Sequence, residues 1–249
     1  MSGHSHWAGI RHHKGINDAK RAALFTKVGR NIIMAAERGG GNPETNFALR
    51  LAIDQARAVN MPKSNIEKAL ARGTGELKDA EKIEEIVYEA YLPVRSQTEE
   101  DGPGSAALLI ETLTDNRNRT VSEVKNILTK TGGKFGSAGS VKFLFERIGV
   151  LSFRITPEQK EEIELLALDS GASDFSFQDE RFVVFTETDA LQSVQSFFES
   201  HQYQAEEALL GYRPFQPVNL SEKDRVAFEK LRDALEDHPD VQRVWDNLQ

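Results

Sequence analysis

The first third of the chain places apolar residues at helical spacing between polar and charged ones. Over residues 17–38 the apolar side chains recur every three or four positions and form one stripe at 100° per residue. The residues of that stripe are Phe25, Val28, Ile32 and Ala36. Glycines at 39–41 end this helix, and two more helices are expected, over 44–59 and from a capping box at Ser64–Glu67 to about residue 72. The pattern therefore predicts a three-helix unit.

After residue 75 the pattern changes to short apolar runs that are typical of strands. Residues 83–92 and 106–114 are predicted strands, and Thr120–Glu123 is a second capping box that begins a helix. A further strand is expected over 141–145, followed by a turn at residues 147–149. This segment thus supplies three strands and one helix of an α/β domain.

The next 60 residues follow the order strand, helix, strand, strand, helix, strand, which is typical of the ferredoxin-like fold. Its elements are expected at 150–155, 157–169, 174–178, 181–186, 188–200 and 204–210. A helix capped by Ser221 and a strand within 241–245 follow. The simplest architecture inserts the ferredoxin-like domain into the preceding α/β domain, which these last elements complete.

We therefore predict an α+β protein of three domains. The expected boundaries are 1–78 for a basic N-terminal arm and three-helix domain, 79–148 with 213–249 for a discontinuous second α/β domain, and 149–212 for the inserted domain. A length of 249 residues agrees with two or three domains rather than one.

The net charge of −8 would argue against a nucleic-acid partner, but the charge is unevenly distributed. Residues 1–78 hold 13 Lys and Arg against 6 Asp and Glu, whereas residues 79–150 hold 9 against 12 and residues 151–249 hold 9 against 21. Such asymmetry indicates a basic module that meets polyanions, joined to acidic domains with another role.

Several classes of protein are excluded by what the sequence lacks. The absence of cysteine rules out a disulfide scaffold, a thiolate zinc site and a cysteine nucleophile. No apolar run is long enough to span a bilayer, and the N-terminus has no secretory h-region, so we expect no membrane partner. The glycines at 132–139 lack the ending of a phosphate-binding loop, and no catalytic motif occurs. We therefore expect no enzyme activity, no cofactor and no small-molecule substrate.

The first 21 residues combine cations with an aromatic residue and glycines, as in an arm that follows phosphates and stacks on bases. Two alternatives remain open, a histidine metal site, for which the spacing gives little support, and a plain disordered tail. The basic face of the first helix extends this arm, and the arginines of the Asp115–Thr120 turn could hold phosphate beside a helix N-terminus. The candidate nucleic-acid contacts are His4, His6, Trp7, Arg11, His12, His13, Lys14, Lys20, Arg21, Lys27, Arg30, Arg38, Lys63, Arg117 and Arg119.

Several ordered motifs resemble those of the YebC/PmpR family, which includes the mitochondrial translational activator of cytochrome oxidase. The motifs are Gly3–Trp7, Asp18–Arg21, Phe25–Lys27, Gly39–Pro43, Asn60–Lys63, Gly73–Glu76, Leu113–Thr120 and Gly139–Val141. The resemblance implies three domains, a cytoplasmic location for bacterial members, and no catalytic residues or cofactor. Some members are described as DNA-binding transcriptional regulators and others act in translation at the ribosome. Residues 92–104 depart from the family as a longer acidic insertion.

The leading hypothesis is a non-enzymatic, cytoplasmic nucleic-acid-binding regulator of gene expression, in particular a DNA-binding transcriptional regulator. The alternative is a translation factor that contacts ribosomal RNA, because RNA is often recognised through shape and phosphates. The acidic domains would shape the binding groove or recruit protein partners. A purely protein-binding scaffold would leave the basic N-terminal segment unexplained.

Overall fold

The computed structural model describes residues 18–77, 81–93, 105–178 and 180–248, with the backbone alone for residues 18–20. In chain order the elements are α1 (Asp18–Gly39), α2 (Phe47–Ala58), α3 (Lys63–Gly73), β1 (Glu84–Pro93), β2 (Ser105–Thr114), α4 (Arg117–Thr131), β3 (Lys134–Phe135), β4 (Phe145–Arg154), α5 (Lys160–Asp169), β5 (Asp174–Gln178), β6 (Arg181–Thr186), α6 (Leu191–Ser200), β7 (Glu207–Pro214), α7 (Glu222–Glu236) and β8 (Val241–Asp246). The described residues form two compact units, 144–216 and 18–143 with 217–248. The predicted α+β class is confirmed.

Helices α1 to α3 form the helical domain, whose core contains the predicted stripe of α1. Val28, Ile32 and Ala36 are buried, and Phe25 packs beside them as a half-buried ring. Asn46 begins α2, because its side-chain oxygen accepts the N–H of Leu49 at 3.1 Å. The helix therefore starts three residues later than expected.

Helix α3 starts at Lys63, so the predicted capping role of Ser64 is wrong. The residue before the helix is Pro62, whose side chain cannot cap. Its carbonyl oxygen instead accepts the N–H groups of Asn65 and Ile66 at 2.9 and 3.2 Å, which starts the helix one residue before Ser64.

The second domain (residues 81–143 and 217–248) is a four-stranded sheet in the order β3-β1-β2-β8, with α4 and α7 on one face. Strand β8 comes from beyond the third domain and pairs antiparallel with β2, as the insertion requires. The predicted start of α4 at Thr120 is wrong. Asn116 begins this helix, because its side-chain oxygen accepts the N–H of Arg119 at 3.0 Å, and Thr120 lies inside the first turn.

The third domain (residues 144–216) has the strand order β5-β6-β4-β7 with every pair antiparallel, which is the ferredoxin-like arrangement. The predicted strand at 141–145 and turn at 147–149 are wrong, because β4 runs unbroken from Phe145 to Arg154. Gly149 does not turn the chain. It lies in the middle of β4, where a Cβ atom would collide with the hydroxyl of Thr186.

Candidate nucleic-acid interface

Helix α1 carries four described cations that were expected to face nucleic acid, and the structure separates them into two pairs. Arg21 is exposed, with its guanidinium 5.7 Å from the centre of the Phe25 ring. Arg38 is also exposed and pairs with Glu85. Because an exposed ion pair contributes at most about 1 kcal/mol, Arg38 can exchange this partner for a phosphate.

Arg30 was also expected to contact nucleic acid, but in the structure it is buried against the second domain and does not lie on the exposed side of α1. Its guanidinium is paired with Asp240 and donates to the carbonyl oxygen of Pro239 at 3.0 Å. A second carboxylate, that of Asp115, lies 3.7 Å away. Arg30 therefore attaches α1 to the second domain.

Asp240 is the centre of this junction and is only 1% exposed. Its carboxylate also accepts hydrogen bonds from the hydroxyls of Thr120 and Thr114 at 2.5 and 3.2 Å, and from Arg119 at 3.0 Å. Burial alone would raise the pKa of Asp240, but the hydrogen bonds from Thr120, Arg119 and Arg30 lower it to about 2. The carboxylate is thus ionised at neutral pH and joins α1, α4 and the start of β8.

Lys27 lies one turn before Arg30 and is partly buried, which interrupts the continuous basic face expected on α1. Burial lowers the pKa of Lys27 to about 8, while the charge of Glu236 opposes that shift and that of Arg243 adds to it. These two residues belong to α7 and β8. Lys27 therefore belongs with Arg30 at the junction.

The two arginines at the start of α4 have different surroundings. Arg119 pairs with Asp115 at 2.9 Å and with Asp240 at 3.0 Å, and these bonds raise its pKa, with the hydrogen bond to Asp240 contributing most. Arg117 is exposed and has no ion pair within the described residues. Only Arg117 is therefore free to contact a ligand.

Helices α2 and α3 add exposed cations, some of which the sequence pattern missed. Lys63 is exposed and lies 3.6 Å from Glu67. Arg50 and Lys68 are also exposed, and the guanidinium of Arg50 lies 4.9 Å from the centre of the Phe47 ring. A helical projection of α2 and α3, extended from that of α1, would have found both cations on the polar side. Among the described side chains of α1, α2, α3 and the first turn of α4, the exposed cations are Arg21, Arg38, Arg50, Arg57, Lys63, Lys68, Arg117 and Arg119, of which Arg57 pairs with Asp54 and Arg119 with Asp115 and Asp240.

Most of the predicted arm lies outside the described residues. This applies to His4, His6, Trp7, Arg11, His12, His13 and Lys14, and to the side chain of Lys20. Most of the acidic insertion, residues 94–104, also lies outside them.

One group in the described part of the chain brings together three side chains of the kinds that bind metals, Glu123, His238 and Asp240. The ring of His238 is already bonded at both nitrogens, with Nε2 at 2.8 Å from Glu123 and Nδ1 accepting the N–H of Asp240 at 3.1 Å. A metal ion would have to compete with two guanidinium groups for the carboxylate of Asp240. This arrangement favours a hydrogen-bonding role over metal binding.

In the glycine-rich segment after α4 (residues 132–142), backbone N–H groups are bonded to a side chain of the same chain. The buried carboxylate of Glu89 accepts the N–H groups of Gly139, Val141 and Lys142 at 2.5, 2.7 and 2.8 Å. Burial raises the pKa of Glu89, but these backbone hydrogen bonds outweigh it and the net shift is downward. The N–H groups that could cradle a phosphate are thus occupied by a carboxylate.

Two family models match consecutive segments of the chain. Residues 5–76 match the model described as the TACO1/YebC protein N-terminal domain, and residues 83–248 match that of the TACO1/YebC second and third domain. The chain belongs to the TACO1/YebC family.

Relatives in this family are similar to the chain along its whole length. A protein of Caldanaerobacter subterraneus is 42% identical over all of this chain and 98% of its own, and one of Pseudothermotoga lettingae is 45% identical over all of this chain and 94% of its own. Both are named "probable transcriptional regulatory protein". The crystal structure of a conserved hypothetical protein from Aquifex aeolicus is 39% identical and covers 98% of this chain and 96% of its own with a TM-score of 0.83.

The TACO1/YebC match therefore agrees with the predicted resemblance and with the three-part architecture. Within the described ranges, none of the helices has both the length and the apolar character needed to cross a membrane.

Proposed function

We propose that this protein is a non-enzymatic, cytoplasmic regulator of transcription that binds DNA through its N-terminal arm and helical domain. The observation that carries the proposal is the segregation of charge. Residues 1–78 hold 13 basic and 6 acidic side chains, although the chain as a whole has a net charge of −8. A basic module on an acidic protein is typical of binding to polyanions. The names of the relatives support a role in transcription.

Only some of the candidate cations are accessible to DNA. Arg30 and Arg119 are committed to Asp240, so they stabilise the junction instead of meeting DNA. The exposed cations of α1, α2, α3 and the start of α4 supply contacts to phosphate, which give affinity and little sequence preference. Such binding depends strongly on salt, because each phosphate contact releases condensed counterions.

The test is the salt dependence of affinity for a short DNA duplex. If five or six cations engage phosphates, log K should fall with log salt at a slope of about −5. The triple variant Arg21→Ala/Lys63→Ala/Arg117→Ala should make that slope shallower by about 2.7, since each phosphate that is no longer neutralised accounts for roughly 0.9. The matched control removes three exposed cations elsewhere, as Arg154→Ala/Lys223→Ala/Lys230→Ala, and should leave the slope unchanged.

Three results would contradict the proposal. An equal change in both triple variants would mean that only net charge matters, and a salt-independent affinity would remove nucleic acid as the partner. Tighter binding to a ribosomal RNA fragment than to duplex DNA of equal length would replace the transcriptional role with one at the ribosome.

A further inference from the structure

Helix α5 of the third domain buries one side and leaves two leucines in solvent on the other. Ile163 and Ala167 are fully buried in the core of this domain. Leu165 is 64% exposed and Leu168 is 68% exposed, and their spacing of three residues places them on the same side of the helix. Single exposed leucines are common on protein surfaces, but two adjacent ones form a small apolar patch.

The rim of this patch is acidic. The carboxylates on α5 belong to Glu161, Glu162, Glu164 and Asp169. The helix has one cation, Lys160, which is its first residue. The Nζ atom of Lys160 lies 3.7 Å from a carboxylate oxygen of Glu164. The last turn contains no basic residue, so Asp169 adds a negative charge at the end where the helix dipole is already negative.

We propose that this face of α5 docks a basic amphipathic helix of another protein. Leu165 and Leu168 would pack against the apolar stripe of that helix, and the carboxylates on either side would pair with its lysines and arginines. Charge complementarity selects this partner, because the acidic rim repels nucleic acid and repels a second copy of the same face. The inference concerns the third domain alone and does not rest on DNA binding by the helical domain.

The test uses the full chain and a labelled synthetic peptide of 18 residues (roughly five helical turns), with leucine at helical spacing and lysine elsewhere. Binding is measured by fluorescence anisotropy, beside a scrambled peptide of the same composition and one with glutamate in place of lysine. We expect only the amphipathic basic peptide to bind with saturation. Leu165→Ala/Leu168→Ala should weaken binding at least tenfold, whereas Val226→Ala, which truncates an apolar side chain of α7 that is 60% exposed, should stay within twofold.

A second variant, Glu161→Gln/Asp169→Asn, tests the rim separately and should weaken binding while reducing its salt dependence. The proposal is overturned if the scrambled peptide binds as tightly, if the double leucine variant binds like wild type, or if no binding occurs at millimolar peptide. Both leucines are exposed, so their variant should unfold at the wild-type temperature. The affinity of these variants for duplex DNA should be unchanged, which separates failure here from failure of the proposed function.

Discussion

Replacing Asp240 with asparagine tests whether the buried junction holds the helical domain in place. The change keeps the size of the side chain and removes the charge that faces Arg30 and Arg119. Arg30 then stays buried with only Asp115, 3.7 Å away, as a compensating carboxylate. Breaking a buried ion pair by removing one partner costs roughly 3–5 kcal/mol. Because Asp115 remains, we expect the lower end, about 3 kcal/mol of unfolding free energy.

The pH dependence gives an independent estimate. The pKa of Asp240 falls from 3.8 to about 2 in the folded protein, which corresponds to about 2 kcal/mol of stability at neutral pH. Since the folded pKa lies below the unfolded one, this contribution is complete above about pH 4 and is lost as the pH falls towards 2. The stability difference between wild type and Asp240→Asn should therefore shrink over that range.

The assay is guanidinium-induced unfolding at pH 7, 5, 4 and 3, followed by tryptophan fluorescence. Trp245 is buried in β8 and reports on the second domain, and a Trp7→Phe background removes the other tryptophan. The matched control is Asp54→Asn, which breaks an exposed pair with Arg57 at 3.1 Å and should cost less than about 1 kcal/mol.

Three results would refute this reasoning. The first is a loss of unfolding free energy below about 0.5 kcal/mol for Asp240→Asn, because a substitution at an ordinary surface position has an effect of that size. The second is a difference from wild type that stays constant between pH 7 and pH 3. The third comes from a double-mutant cycle: in an Arg30→Met background the cost of Asp240→Asn should fall, and strict additivity would show that the two side chains are not coupled.

Three further substitutions test hydrogen bonding and packing within the same unit. Glu89→Gln replaces one carboxylate oxygen with an amide nitrogen that cannot accept. The nitrogen costs least at the position of Oε1, which accepts only the N–H of Gly139, whereas Oε2 accepts two N–H groups, so we expect a loss of about 1–3 kcal/mol in unfolding free energy and faster amide exchange at Gly139. Gly73→Ala would place a Cβ atom 2.5 Å from the carbonyl oxygen of Ile33, which should cost about 1–3 kcal/mol in thermal or denaturant unfolding. Gly29→Ala, whose Cβ has nothing nearer than 3.8 Å, should be neutral or stabilise α1 by up to about 1 kcal/mol, and equal effects at both glycines would contradict the packing argument.

Helices could be predicted from the sequence where apolar residues recur at helical spacing or where a neighbouring side chain caps the N-terminus. Helix α1 follows its apolar stripe, and α7 begins where expected, because the hydroxyl of Ser221 accepts the N–H of Asp224 at 3.2 Å. The capping boxes predicted at Ser64 and Thr120 show the limit of this reasoning. Thr120 has the right sequence for a cap, but its hydroxyl donates to Asp240, 120 residues later, and Asn116 takes the capping position.

The candidate interface could be predicted only in outline. The basic character of residues 1–78 is visible in the sequence, but the use of each cation depends on partners far along the chain. On a helical projection Arg21 lies beside the apolar stripe of α1 and Arg30 lies opposite it, yet the tertiary structure leaves Arg21 exposed and buries Arg30. The residues next to Asp240 in the sequence form no motif, so no local signal could identify that position as the centre of the junction.

The distance along the chain between Arg30 and Asp240 has a consequence for folding during synthesis. The two residues are 210 positions apart, and β8, which completes the sheet beside β2, follows directly after Asp240. Synthesis proceeds at roughly 5–20 residues per second, so Asp240 is added to the chain on the order of 10–40 s after Arg30. Until then α1 can pack with α2 and α3 and can meet Glu85 and Asp115 of the second domain, but the Arg30–Asp240 pair cannot form. Completion of this junction is thus one of the last steps, and it occurs only in chains that have been translated beyond residue 240.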